Sequence, residues 1–334
     1  MQLIDVIVTN VTFIQTTRSS MEKIIMQVPD KLFKYKSFNS DCMELIIADY
    51  LYFANPNQFN DPLDCKVSIL DDIQDEEQLK NILSTLYQRS AENKLNNAAN
   101  NLHYNGPKTR DKILSLSKSE SDRMIADVYQ QFDFYEYDTV SVTGTLANLI
   151  GQIILSGYSK GVLSLAEDSD CPLMWSHYAD NHKGLCLGYT IPDKVKRKIQ
   201  PINYTSNSRD IKTSQILKML NGDSDAKLEI EKAIFLRKAS PWKYEKEWRM
   251  ISGVGKKNAS IYLSDIIFGM RCKDTTIYTI MKSLQGRDLP IKFWQVTEVP
   301  QKFTLQKIEI DLSDESFVSL PRCLEAIEDA FDEE

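Results

Sequence analysis

Trp242-Lys243-Tyr244-Glu245-Lys246-Glu247-Trp248-Arg249-Met250 is the stretch on which the reading of this chain turns. As a strand, its side chains alternate between two faces. Tyr244, Trp248 and Met250 then share one face, with Lys246 as the exception, and Lys243, Glu245, Glu247 and Arg249 share the other. The first face can pack on a core. From the second, two carboxylates and two cations project together, suited to a developing positive charge and its nearby hydroxyls. The bland alternative is the wet face of a sheet, where such ion pairs add little stability.

Working outward, short β-prone runs bracket a long helical stretch. Leu32 to Phe38 alternates as a strand. Asp41 to Asp49 reads as a short helix capped by Asp41, with Met43, Ile46 and Ile47 as its apolar stripe. Leu51-Tyr52-Phe53-Ala54 is a second strand, broken at Asn55-Pro56-Asn57. From Asp71 to about Tyr158 the spacing turns helical. Gln78, Leu79, Ile82, Leu83 and Leu86 carry it, followed by Ile113 and Leu116, then Met124, Ile125, Val128 and Phe132. Strands return at Gly161–Leu165 and Gly184–Ile191, the latter apolar enough to be buried on both faces. A helix at Pro172–Asp180 separates them. Later come a strand at Ile202–Tyr204, helices near 211–220, 225–238 and 275–285, and strands at 243–252, 266–269, 291–296 and 304–310. The fold class expected is α+β: a mixed twisted β-sheet with a helical insert. The division expected is an N-terminal extension (1–30), a single α+β domain (31–312) with its insert at about 71–158, and an acidic C-terminal tail (313–334). Val6 to Phe13 is a β-prone opening within the extension, and an alternative start is expected at Met21 or Met26, because the patterned domain begins only near Leu32.

Composition excludes several classes. The 334 residues are 42% apolar and 26% charged, ordinary for a globular chain. A net charge of −7 and a pI near 5.3 do not announce a nucleic-acid surface. None of the six cysteines forms a C-x-x-C pair, which speaks against a zinc ribbon or redox dithiol. Cysteine usage and acidity fit a reducing cytosol, so a cytoplasmic location is expected. The N-terminus lacks the layout of a secretory signal. The uncharged run Thr139–Ser159 is too polar for a membrane span. G-x-S-x-G and G-x-x-x-x-G-K-[ST] are both absent, and Gly253 and Gly255 read as a hairpin turn.

Two further segments carry chemistry. Gln58-Phe59-Asn60-Asp61-Pro62-Leu63-Asp64-Cys65 follows a strand end. It is either a tight turn in which Asn60 and Asp61 bond their own backbone, or a loop that holds a ligand's hydroxyls or amide. Met174-Trp175-Ser176-His177-Tyr178-Ala179-Asp180-Asn181-His182-Lys183-Gly184 holds two of the three histidines. Their spacing of five is not that of a zincin helix, so no metal site is expected. His177 suits a general base, a ring stacking on a nucleobase or nicotinamide, or a hydrogen-bonded helix end.

Leu32 to Phe38, Leu51 to Phe53, Phe59 to Asp64, Met174 to Gly184 and Tyr244 to Arg249, in this order, resemble the bacterial family known as domain of unknown function 2971. The resemblance runs from about Leu32 to Trp294 and implies no activity by itself. A second similarity is to the ADP-ribosyltransferase superfamily. There an early strand carries an aromatic or basic residue that grips NAD, and a later strand carries a catalytic glutamate within Glu-x-Glu or Gln-x-Glu. Tyr35 or Lys36 would take the first role and Glu245-Lys-Glu247 the second. The superfamily's middle element has no clean match, with Ser164 or Tyr178 as stand-ins.

That similarity implies an NAD-dependent transferase that cleaves the nicotinamide–ribose bond, with NAD as substrate. Glu247 and Glu245 are the catalytic residues expected. Tyr35, Lys36, Asn60, Asp61, His177, Tyr178 and Arg249 are the residues expected to bind the nucleotide. It further implies a small-molecule nucleotide partner, a protein or nucleic-acid acceptor, no membrane partner, and service as a toxin or phage-defence effector. The alternatives are a non-catalytic nucleotide- or partner-binding module and a metal-dependent nuclease.

Overall fold

Alternation of apolar residues on both faces of Leu32–Tyr35, Leu163–Ala166 and Leu185–Tyr189 puts these segments in the middle of a sheet, with no face left for water. The computed structural model describes residues 28–104, 106–134, 141–204, 208–314, 317 and 320, with 131–134 by their backbone. The β-prone opening, the alternative starts, the Phe132 side chain and most of the expected acidic tail lie outside the described residues.

The architecture is α+β. In chain order the elements are β1 (Lys31–Lys36), α1 (Ser40–Ile47), β2 (Tyr50–Phe53), β3 (Ser68–Leu70), α2 (Glu76–Asn101), α3 (Thr109–Phe134), α4 (Val142–Gly157), β4 (Gly161–Ala166), α5 (Pro172–Tyr178), β5 (Leu185–Thr190), α6 (Asp193–Lys196), β6 (Ile199–Pro201), β7 (Asp210–Lys212), α7 (Thr213–Leu220), α8 (Ser224–Phe235), β8 (Glu247–Ser252), β9 (Gly255–Asn258), β10 (Tyr262–Phe268), α9 (Asp274–Ser283), β11 (Lys292–Glu298) and β12 (Leu305–Glu309). A 3-10 turn spans Ser240–Glu245.

The chain divides into two compact units. One draws on Met1–Ala54, Gly161–Ile202 and Pro241–Glu334. Its eight-stranded sheet has the order β12-β11-β10-β5-β1-β4-β8-β6 and is antiparallel except for the β10–β11 pair. Leu32, Leu163, Leu165, Leu187, Trp248, Met250, Ile266 and Phe268 face one core, which also receives α1 and α9. Phe33, Tyr35, Ala166, Cys186, Ile267 and Val296 face a second core under α5. The Asn39 side chain, rather than Asp41, caps α1, accepting from the Cys42 N–H at 2.8 Å.

The other unit draws on Asn55–Lys160 and Asn203–Ser240. It holds the expected helical insert together with α7 and α8, and a parallel β3–β7 pair. Leu79, Ile82, Leu83 and Leu86 form the buried stripe of α2, as their spacing predicts, and Asp75 caps that helix.

Further local expectations change, and the strand expected at Ile202–Tyr204 lies instead at Ile199–Pro201. Gly253 and Gly255 do not close a β8–β9 hairpin, because β9 leaves the large sheet to pair with β2. The expected strand 243–252 begins only at Glu247, since Pro241 starts a 3-10 turn and Lys246 adopts a left-handed φ of 43°.

Candidate functional site

Within β8 the period of two holds. Trp248 and Met250 enter the first core, and Glu247 and Arg249 point to the opposite face. The register with β4 sets Ala166 opposite Glu247 and Ser164 opposite Arg249. Phe33 of β1 stands opposite Ala166, so Tyr35, two residues on, lies on the same sheet face.

Glu247 and Arg249 are not surface charges. They are 5% and 1% exposed. The Arg249 guanidinium donates from Nε to Glu247 Oε1 at 2.7 Å and from Nη2 to Oε2 at 3.1 Å. Such a two-pronged bond fixes both groups in one orientation. Glu245 is 4% exposed and accepts a 2.6 Å hydrogen bond from the Tyr178 hydroxyl. The wet-face reading of these acids therefore fails. Their expected strand partnership also changes: Glu245 closes the 3-10 turn, and the left-handed Lys246 between the acids interrupts the alternation. Tyr244 consequently packs against the second core rather than with Trp248. Lys246 turns outward to Asp168, 2.8 Å away, and that bond raises its pKa.

Tyr178, at the end of α5, ties this turn to the helix. His177 is exposed, and its ring centroid lies 6.4 Å from Tyr178 and 6.5 Å from Tyr244, which is 6.1 Å from Trp242. Four rings thus form a run that Tyr178 links to the buried Glu245. Trp242 and Tyr244 belong to this group, although nothing in their sequence positions assigns them to a site. The Ser240-Pro241 pair was the available turn signal.

A left-handed turn follows α5. Asp180, Asn181 and His182 all have positive φ (47°, 53° and 69°). Asp and Asn tolerate this region better than most residues. The turn is pinned by backbone bonds: Gly184 N–H to Ala179 O, Gly269 N–H to Gly184 O and Arg271 N–H to His182 O. His182 stacks on Trp175, with Nε2 3.3 Å from the Ser176 hydroxyl, and burial lowers its pKa, with Arg271 adding to the effect.

The remaining expected site residues lie on β1 and in the other unit. Tyr35 is a core residue, its hydroxyl donating to the Asp168 carbonyl at 2.9 Å and its ring edge-on to Trp175. Burial raises its pKa. Lys36 alternates to the opposite sheet face, the side of Leu32. Asn60 and Asp61 belong to the other unit. There Asp61 Oδ1 accepts from the Leu63 N–H at 2.8 Å, which is the turn chemistry read from the sequence. Also in that unit, buried Asp64 lies 3.6 Å from buried Lys238. Among the described residues no three His, Cys, Asp or Glu side chains are grouped to hold a metal ion. No helix among them is long and apolar enough to cross a membrane.

Residues 174–250 match the model of a family described as a protein of unknown function (DUF2971). That window contains Tyr178, Glu245, Glu247 and Arg249, and it supports the first of the two resemblances. No curated protein and no solved structure matches the chain.

Proposed function

We propose that the chain is an NAD-consuming enzyme of ADP-ribosyltransferase type. The observation that carries this reading is a pair of buried carboxylates, Glu245 and Glu247, each fixed by its own donor beside partly exposed aromatic rings. Buried, oriented acids of this kind concentrate at functional sites.

The nicotinamide–ribose bond breaks with its electron pair leaving on nicotinamide and positive charge developing on the sugar, as in glycoside cleavage. Glu247 holds a ribose hydroxyl and sets its charge where the cation forms, favouring the transition state over the ground state. Arg249 acts as a positioning residue that holds Glu247 in one orientation through two hydrogen bonds. Glu245, oriented by Tyr178, aligns or deprotonates the acceptor. His177, Tyr178 and Tyr244 wall the nicotinamide or the acceptor. The acceptor is a protein or a nucleic acid, and service as a cytoplasmic toxin or phage-defence effector follows from the superfamily resemblance alone.

Incubation with NAD labelled in the adenosine half tests the proposal, with nicotinamide release and label transfer as readouts. Turnover by the native chain, lost in Glu247→Gln, is the expected result. A specific observation favours one other reading: both acids already have internal partners, as in a binding module that performs no chemistry. Binding of NAD without nicotinamide release would select that module.

A further inference from the structure

Strand β12 ends the large sheet, and among the described residues it pairs only with β11. The Ile310 N–H donates to Phe293 O at 3.1 Å, and the Val299 N–H donates to Thr304 O at 3.0 Å. Their register runs from Trp294 opposite Glu309 to Glu298 opposite Leu305. Backbone groups of Thr304, Gln306, Ile308 and Ile310 therefore face β11, and those of Leu305, Lys307 and Glu309 face away from the sheet.

A lysine on an edge strand normally guards against pairing by standing off the edge. Lys307 is instead folded over the sheet, its Nζ 5.1 Å from the Trp294 ring centroid and 5.7 Å from that of Phe33. Ile308, next to it, is 52% exposed. We propose that this edge docks a second copy of the chain, β12 against β12, antiparallel about a two-fold axis, continuing the sheet from one subunit into the other.

Charge selects the register. Outward-facing residues must meet outward-facing residues. Centring the axis on Lys307 sets two lysines directly opposite each other, which is unfavourable. Centring it on Ile308 sets Lys307 opposite Glu309 of the partner subunit, twice by symmetry. It also brings the two exposed Ile308 side chains together.

The test is the solution mass of the full chain by light scattering on a sizing column. The native chain is expected at twice the monomer mass. Glu309→Lys, which sets lysine against lysine and leaves the Lys307 ring contacts in place, should halve it. The exchange Lys307→Glu with Glu309→Lys should restore the dimer. Far-ultraviolet circular dichroism checks that each variant folds. A monomeric native chain overturns the proposal, and so does a dimer that Glu309→Lys leaves intact. A monomeric exchange variant that folds normally overturns the register.

Discussion

Burying a carboxylate is costly unless it is hydrogen-bonded, and Arg249 gives the buried Glu247 two hydrogen bonds. Arg249→Met removes both of those bonds from a buried carboxylate. It is expected to destabilise the chain by about 3–5 kcal/mol, read as a lower urea midpoint. Adding Glu247→Leu should recover part of the loss, because it removes the buried carboxylate along with the guanidinium that bonded it. Tyr178→Phe removes one hydrogen bond to a charged acceptor and is expected to cost about 1.5–3 kcal/mol. At the other end of the same sheet, burial works to raise the pKa of Asp265, but hydrogen bonds from Lys31, Ser264 and Trp294 outweigh it and hold the carboxyl below its ordinary value. A depressed folded pKa gives stability that is present above the unfolded value of about 3.9 and lost as pH falls through the folded one. The difference in urea midpoint between the native chain and Asp265→Asn should therefore narrow on going from neutral to acid pH.

Elements show which local rules the sequence makes legible. The buried stripe of α2 and the two-faced burial of β5 follow directly from apolar spacing. The start of β8 does not, because Tyr-Glu-Lys-Glu alternates as well as a true strand, and only Pro241 hints at the 3-10 turn. Asp180-Asn181 carries a turn signal, yet three successive left-handed residues depend on tertiary anchors that lie far off in the chain. Gly269 is one of them. A Cβ there would sit 2.1 Å from the His182 carbonyl oxygen, against backbone that cannot swing aside. Gly269→Ala is expected to cost at least about 1–3 kcal/mol and to disturb the turn after Tyr178. A drop in urea midpoint together with a changed near-ultraviolet signal from Trp175, on which His182 stacks, would bear this out. An unchanged midpoint would show that the turn yields freely.

At the scale of the whole molecule, class and element order were readable, whereas the partition into units was not. No Gly/Ser/Pro linker marks where the chain leaves the sheet at Asn55, and 203–240 joins the helical unit through spatial pairing such as β3 with β7. The candidate site was half legible for a similar reason. Glu247 and Arg249 share a face by strand period alone, but the Tyr178–Glu245 bond joins residues 67 apart in sequence. No spacing rule reaches that far. All of these residues are arranged, on this account, around one reaction. Its most direct test is nicotinamide release from NAD by the purified native chain beside Glu247→Gln of verified fold. The account expects turnover by the native chain and a rate lower by on the order of a hundredfold or more in the variant. Equal NAD consumption by the two proteins, or none by either, would contradict it.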